Sequence, residues 1–594
     1  MSDAPVPAAP PAVPASSAPE APDLVDLAGW GAAAIRDAHD GYQRDFQELT
    51  ARARGRFEAR DWKGAQRDAL ERLDVRGTRI REVVERLRAR LGDRVADRQL
   101  WALMKPLYLV QISRRPDMDL AESFYNSVTR RVFATVGVDP RVEFVASELK
   151  SPLPDPGQPL FRTYHSQSAP TSELVRRALL DAPLGASWAD LDGDARDAGA
   201  RIDAYLAGRG FDAVDVLRPV FYRGKGAYLV GRLRQGASDV PLILALLHEE
   251  GGVRLDAVLL TENQASVVFS FTRSYFHVEA DRPHALVSFL KSILPQKRLS
   301  EIYTAIGFNK HAKTELYREI LTHLERSPDR FQPARGDKGM VMAVFNLPSL
   351  DVVFKVIRDS FRPPKNVTRE EVMNKYQLVF RHDRAGRLVD AQEFEHLSFP
   401  ASRFTPEVLE ELLGECGNTV RLQGGQVDIK HLYAERRVTP LNLFIRETDE
   451  GAARRAILDF GQALRDLAAT NTFPGDMLLK NFGVTRTGRV IFYDYDELQL
   501  VTDVNFREMP RPSSDEDDFG GSEPSFYVGE DDVFPEEFLP FLGLAPHLKE
   551  PFLEAHAELL TARFWRQMQE RHRAGEIVDI FPYARAARSG GKPA

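Results

Sequence analysis

Apolar positions recur every three to four residues from about 24 to 112, and that spacing predicts long amphipathic helices. Residues 76–94 (RGTRIREVVERLRARLGDR) carry both signs of charge along one such helix. The basic residues alone would suit a nucleic acid, but the interleaved Glu and Asp point to a solvated helix face. Between about 216 and 278 the period shortens. RPVFYRGKGAYLVGRL, DAVLLTE and ASVVFSFTRSYFHVEA read as β-type runs, a small sheet set into a mostly helical half. After a helix near 315–325, the polar run 327–339 (SPDRFQPARGDKG) contains Pro and Gly and marks a domain boundary. Beyond it, 340–345 (MVMAVF) and 352–357 (VVFKVI) predict paired strands. Ile457, Phe460, Leu464 and Leu467 then fall at helical spacing, and 482–485 with 489–493 read as a hairpin about Thr487-Gly488.

At 594 residues the chain exceeds what one core usually serves, so two large domains are expected. Hydrophobic residues at 43% and charged residues at 28% are ordinary for a globular protein. The net charge of −8 argues against a dedicated nucleic-acid binder. One cysteine, Cys416, excludes an intrachain disulfide framework and fits a reduced, cytoplasmic setting. No apolar run approaches the roughly 20 residues of a membrane span, so no membrane association is expected. His248-Glu249-Glu250 lacks the second histidine of a zinc helix. Residues 1–23, rich in Ala and Pro, form neither a signal peptide nor a core element and read as a disordered leader.

Candidate chemistry concentrates in 471–497 (NTFPGDMLLKNFGVTRTGRVIFYDYDE). Pro474-Gly475 ends the preceding helix and Asp476 opens a loop. Asn481 follows Asp476 with four residues between, and Asp494 closes the hairpin 13 residues after Asn481. Phosphoryl transfer needs this set: one carboxylate for the attacking hydroxyl, and an amide oxygen with a second carboxylate for the metal ions. The loop reads PGD rather than HRD, and Asp494 sits in DYDE rather than DFG. The plainer alternative makes Asp476 a cap and Asp494 a turn residue. Lys355 lies inside an apolar strand, where its ammonium needs anions such as nucleotide phosphates, or else snorkels to solvent. Sixteen residues earlier ends ARGDKG, where Gly336 and Gly339 permit close approach and Arg335 and Lys338 add positive charge. A helix-borne glutamate should pair with Lys355; Glu370 and Glu371 are both candidates.

Several long strings resemble the bacterial isocitrate dehydrogenase kinase/phosphatase family: ARGDKGMVMAVFNLP, VFKVIRDSFRPPKN, KYQLVFRHDRAGRLVDAQEFE, HLYAERRVTPLNL, FPGDMLLKNFGVTRTGRVIFYDYDEL and DVFPEEF. The resemblance runs through nearly all of 331–582 and continues more loosely through 25–330. It implies an α+β fold, with a mainly helical regulatory domain at 24–330, a bilobal protein-kinase-like domain at 331–583, and a flexible tail at 584–594. It implies ATP and Mg2+ or Mn2+, with ADP or ATP also serving the phosphatase direction. The protein substrate it implies is isocitrate dehydrogenase, modified on a serine at the branch between the tricarboxylic acid cycle and the glyoxylate bypass. AMP is a plausible effector. Residue by residue, the nucleotide segment falls on Ala334, Arg335, Gly336, Asp337, Lys338, Gly339 and Met340, and the nucleotide lysine on Lys355. Asp390 takes the phosphatase role and Asp476 the kinase-loop role, with Asn481 and Asp494 as metal ligands. His431 to Glu435 would be the interlobe linker facing adenine.

Asp390 has a bland alternative, a surface ion pair with Arg384 or Arg387. The acidic loop 513–518 (SSDEDD) is either a solvated charge run or a surface for a basic partner. Two rivals remain at this level: a small-molecule phosphotransferase of the aminoglycoside-kinase type, and a nucleotide-binding regulatory module without catalysis.

Overall fold

The protein is described from a computed structural model that covers residues 23–145, 159–236, 238–271, 275–361, 367–382, 384–509, 527–529, 531–584 and 587–588. The expected leader, up to residue 22, and the acidic loop lie outside the described residues. Helices α1 (Leu24–Glu58), α2 (Trp62–Leu91), α3 (Arg98–Ile112) and α4 (Met118–Val132) come first. On α1 the buried positions Ala28, Ala32, Ile35, Tyr42, Phe46, Leu49, Ala53 and Phe57 form one stripe, as the apolar spacing requires. Asp61 accepts from the Gly64 amide at 2.8 Å and starts α2. On α2, Arg79 meets Asp45 and Arg88 meets Glu85 on the outer face. Arg76 turns inward instead, against the rings of Tyr42 and Phe124.

Next come β1 (Phe161–His165), α5 (Thr171–Leu180), α6 (Leu191–Leu206), β2 (Ala213–Leu217), β3 (Phe221–Arg223), β4 (Gly226–Gln235), β5 (Ser238–Glu249) and β6 (Gly252–Leu259). They build a six-stranded antiparallel sheet, order β1-β2-β4-β5-β6 with β3 on β4, larger than the small sheet expected. The run ASVV does not join it. It lies in α7 (Glu262–Val268), because Thr261 and Gln264 form a reciprocal capping box that starts a helix there. Helices α8 (Pro283–Ile293), α9 (Leu299–Ala305) and α10 (Asn309–Arg326) complete this half.

The second half opens with β7 (Gln332–Pro333), β8 (Met342–Asn346) and β9 (Val352–Ile357). After them come α11 (Arg369–His382), β10 (Ala391–Pro400), α12 (Pro406–Glu415), β11 (Val420–Gln423) and β12 (Gln426–Arg436). The antiparallel sheet runs β10-β12-β9-β8-β7, with β11 on β12. A second lobe follows: β13 (Thr439–Pro440), α13 (Leu441–Glu447), α14 (Glu450–Ala469), the hairpin β14 (Phe482–Val484) and β15 (Val490–Phe492), and farther on α15 (Phe538–Leu542), α16 (Pro546–His556) and α17 (Ala562–Arg573). Asp449 caps α14, whose Ile457, Phe460, Leu464 and Leu467 are buried against Phe482, Phe552 and Trp565. Among the described residues no helix is long and apolar enough to cross a membrane.

Of the expected tail, residues 585–586 and 589–594 lie outside the described residues, and the contacts near it are those of Tyr583, Ala587 and Arg588. Tyr583 donates to Asp256 of β6 at 2.7 Å, and Arg588 reaches the same carboxylate at 2.9 Å. Arg201 donates to the carbonyls of Ala587 and Arg588. Asp256 is fully buried, so its charge needs these partners, and they draw Tyr583 and Arg588 onto the first sheet.

Candidate active site

Lys355 is buried in β9. Its ammonium is 2.8 Å from the Glu435 carboxylate of β12 and donates to the Tyr493 carbonyl at 2.7 Å. The register sets this up: Tyr433 faces Lys355 across the β12–β9 ladder, and Glu435 lies two residues farther along the same face. The expected helical partners are therefore corrected. Glu371 closes the first turn of α11 by exchanging hydrogen bonds with Thr368, and Glu370 is exposed. What α11 sends into the site is Tyr376. Its ring stacks on Tyr433 at 3.8 Å, and its hydroxyl donates to Glu435 at 3.4 Å. Burial pushes the Glu435 carboxyl up, Lys355 and the Tyr376 hydroxyl pull it back, and Asp494 adds to the upward push. The stretch from His431 to Glu435 is strand, paired with β10 throughout and with β9 from Tyr433 to Arg436.

The hairpin brings the two expected metal ligands together. Phe482 pairs with Phe492, and the Tyr493 amide extends the ladder to the Asn481 carbonyl at 3.1 Å, leaving Asp494 as the next residue. The Asn481 side chain is buried and donates to the Asp476 carbonyl at 3.1 Å, tying the loop to the hairpin. Asp476 itself is exposed at the loop's start. Gly475 before it has φ +78°, and a Cβ there would stand 2.3 Å from the Glu497 carbonyl oxygen. The loop can approach the segment after Asp494 only with glycine at that point. Phe473 and Gln499 exchange main-chain hydrogen bonds at 2.9 Å and hold the two segments side by side.

Asp390 stands where β10 begins. Val389 donates to the Phe492 carbonyl at 3.0 Å and accepts from the Tyr495 hydroxyl at 2.6 Å, so Asp390 flanks the strand leading to Asp494. Its carboxylate accepts from Gln392 at 2.6 Å. Arg387 is committed elsewhere, at 2.7 Å to each of Asp459 and Asp466, and Arg384 lines a cavity between the two halves of the chain.

The segment from Ala334 to Met340 crosses from β7 to β8. Ala334 donates to the Val344 carbonyl at 3.1 Å, and Gly336 takes φ +115° against Pro440 of the other lobe. Arg335 meets Glu447 of α13 at 2.6 Å, and Lys338 meets Glu411 at 3.6 Å. Both cations expected to face phosphates thus have carboxylate partners, and Asp337 bears on the Tyr493 phenol together with Asp494 and Glu435. Gly339 and the exposed Met340 end the segment, where Arg358 donates to the Gly339 carbonyl at 3.3 Å. Glu435, Asp494 and Asp337 all act on the Tyr493 phenol, with Lys355 5.3 Å from its ring, so negative charge gathers at this point. A carboxamide and a carboxylate are the hard oxygen donors that Mg2+ or Mn2+ prefers, so the residues present fit a divalent ion.

Sequence reasoning missed Tyr376, named Glu435 only as the end of the interlobe linker, and named Arg387 only as a possible partner of Asp390. The one available signal was an acid at the end of the largely apolar run HLYAE, two residues from Tyr433.

Residues 329–585 match the model described as the isocitrate dehydrogenase kinase/phosphatase (AceK) kinase domain, and residues 32–328 match its regulatory domain. An isocitrate dehydrogenase kinase/phosphatase of Anaeromyxobacter dehalogenans (strain 2CP-C) is 59% identical over 576 residues, covering 95% of this chain and 98% of the relative. One from Anaeromyxobacter sp. (strain Fw109-5) is 59% identical over 566 residues with the same coverage. A helical first half carrying a sheet, a bilobal second half and these two matches spanning nearly the whole chain lead to one conclusion: the chain belongs to the isocitrate dehydrogenase kinase/phosphatase family.

Proposed function

We propose that the protein phosphorylates isocitrate dehydrogenase on a serine and removes that phosphate at the same ATP site, setting the branch between the tricarboxylic acid cycle and the glyoxylate bypass. The supporting observation is the joining of Lys355 to the Asn481–Asp494 hairpin through the Tyr493 carbonyl, in a chain whose family carries both activities in its name.

In this reading Lys355, held by Glu435, donates to the nucleotide phosphates. Gly336 and Gly339 bring main chain close to them. Asp476, exposed at the loop, accepts the proton of the attacking serine hydroxyl. Asn481 and Asp494 would hold Mg2+ or Mn2+, which neutralises phosphate charge when bound. In the reverse direction Asp390 orients a water for in-line attack on the phosphoserine and takes its proton. AMP is the proposed effector, and the cavity of about 780 Å³ between the two halves is its candidate site. Trp62, Tyr222 and Phe581 offer faces for a base there, and Arg60, Lys63 and Lys225 offer charge for a phosphate. The buried free thiol of Cys416 suits a cytoplasmic setting.

The test is to incubate the protein with labelled ATP and a host cytosolic extract. Label on a band of the size of isocitrate dehydrogenase, removed on further incubation with ADP, supports the reading. Label in a small molecule would favour a phosphotransferase of the aminoglycoside-kinase type, and no turnover would favour a non-catalytic module.

A further inference from the structure

Two elements of the candidate active site, strand β12 and the hairpin that leads to Asp494, also carry ion pairs that reach the N-terminal half. Glu435 faces Lys355, and the next residue, Arg436, faces away toward Glu301 of α9 at 3.4 Å. The hairpin that ends in Asp494 carries Arg486 at its tip, 3.9 Å from Glu262 and 3.3 Å from the Asn263 carboxamide, both on α7. Lys297 lies buried between the two contacts, where Glu301, Arg436, Arg486 and Glu262 all act on it. Its ammonium donates to Ser270 at 2.9 Å.

The N-terminal side of this cluster is held in place. One Glu301 oxygen accepts from the Arg298 amide at 3.0 Å, leaving the other for Arg436. Glu262 accepts from the Gln296 amide at 3.0 Å. The carboxylates are thus fixed to the first half, and the arginines ride on the strand and hairpin of the second. Strand pairing carries a shift of Arg436 into Glu435, because a paired strand moves as a unit. The contacts of 3.4 and 3.9 Å are longer than a tight bidentate pair, which suits a bias rather than a lock.

We propose that Glu301 and Arg436, supported by Lys297 and the Arg486–Glu262 contact, are positioning residues through which the N-terminal half sets Lys355 and Asp494 in register for phosphate binding. This rests on the phosphoryl-transfer reading above. Neither residue touches nucleotide; Arg436 acts through its chain neighbour Glu435, and Glu301 acts through Arg436. Burial pushes Lys297 down to about 8, so small changes in the surrounding charges alter how well the cluster holds together.

The experiment compares the full chain with Arg436→Met, Arg436→Lys, Glu301→Gln and the Arg436→Met/Glu301→Gln double variant. Mg-ATP binding is measured by calorimetry, and kinase KM and kcat are measured on the same preparations. Arg436→Met and Glu301→Gln should each weaken ATP binding by about 3- to 30-fold, with KM rising and kcat held. Arg436→Lys should recover most of the loss, and the double variant should be no worse than the worse single one. Should Glu301→Gln fail to fold, Arg486→Met on the hairpin tip carries the same expectation. Unchanged ATP affinity in folded single variants, or losses that simply add, would overturn the proposal. A wild-type chain that binds no Mg-ATP would instead overturn the phosphoryl-transfer reading.

Discussion

The Lys355 ammonium donates at 2.7 Å to the carbonyl of Tyr493, a residue 138 positions away and immediately before Asp494. One hydrogen bond therefore joins the sheet of the first lobe to the Asn481–Asp494 hairpin of the second. The same ammonium lies 5.3 Å from the Tyr493 ring, so this tyrosine meets it with both its backbone and its face.

That joint predicts shared loss. Lys355→Met and Asp494→Ala should each lower kinase and phosphatase turnover by roughly a thousandfold, because both directions need phosphates and metal held in one place. Both rates would be measured on one preparation. Wild-type phosphatase activity in Asp494→Ala would contradict a single site.

Asp390 should separate the two directions. Only hydrolysis needs an oriented water, so Asp390→Ala is expected to lose about a hundredfold or more of phosphatase activity and keep most kinase activity. ATP affinity serves as the folding control. Equal losses in both directions would leave Asp390 a structural residue.

Gly475→Ala should disturb the Asp476 loop. A methyl at φ +78° facing the Glu497 carbonyl costs about 1–3 kcal/mol of local strain. The expected outcome is a fall in kcat larger than any change in ATP affinity, since Lys355 and β9 lie elsewhere. Unaltered kcat would show that the loop position does not matter for transfer.

Arg387 is the core counterpart. Its guanidinium is buried between Asp459 and Asp466 and also donates to the Val490 carbonyl, linking α14 to β15. Arg387→Met should cost about 3–5 kcal/mol by leaving two carboxylates without their cation. Arg387→Lys should recover only part, because an ammonium cannot fork between them. Urea midpoints would check both, and a loss under 1 kcal/mol, roughly what a surface pair is worth, would refute the assignment.

Acid should weaken the contact between the halves. Burial would raise the Glu301 carboxyl, but Arg436, Lys297 and Arg298 outweigh it and hold it at about 2. A carboxyl depressed below its unfolded value of about 4.3 contributes stability in full above that pH and loses it as pH falls toward the folded value. The stability gap between wild type and Glu301→Gln should therefore be widest near neutrality and narrow from about pH 4 downward. A gap that stays constant on acidification would contradict this.

Several elements were legible in the residues alone, because their causes are local. The 3.6-residue period of Ile457, Phe460, Leu464 and Leu467 fixes which face of α14 is buried wherever that helix docks. Thr487-Gly488 turns the hairpin with Gly488 at φ +79°, and the strands on either side appear within a residue of their expected ends. Asp476, Asn481 and Asp494 stay close because the loop and hairpin between them are short. The reading failed where a competing local signal was overlooked, as when the Thr261–Gln264 capping box made a helix of an apolar run.

Only the tertiary structure decided the partners. The apolar strand around Lys355 shows that its ammonium needs an anion, and the sequence points to Glu370 or Glu371 on the following helix. The β12–β9 register puts Glu435 opposite, while Thr368 engages Glu371 at the helix start. Arg387 could as well have paired with its neighbour Asp390 until the packing of α14 supplied Asp459 and Asp466. Arg588 and the first sheet meet for the same reason: a buried Asp256 accepts whichever cation the fold delivers, and the fold delivers Arg588. Periodicity and turn chemistry act over a few residues and are written in order along the chain. Ion-pair choice depends on which segments the cores bring within about 4 Å, and that is set by long-range packing.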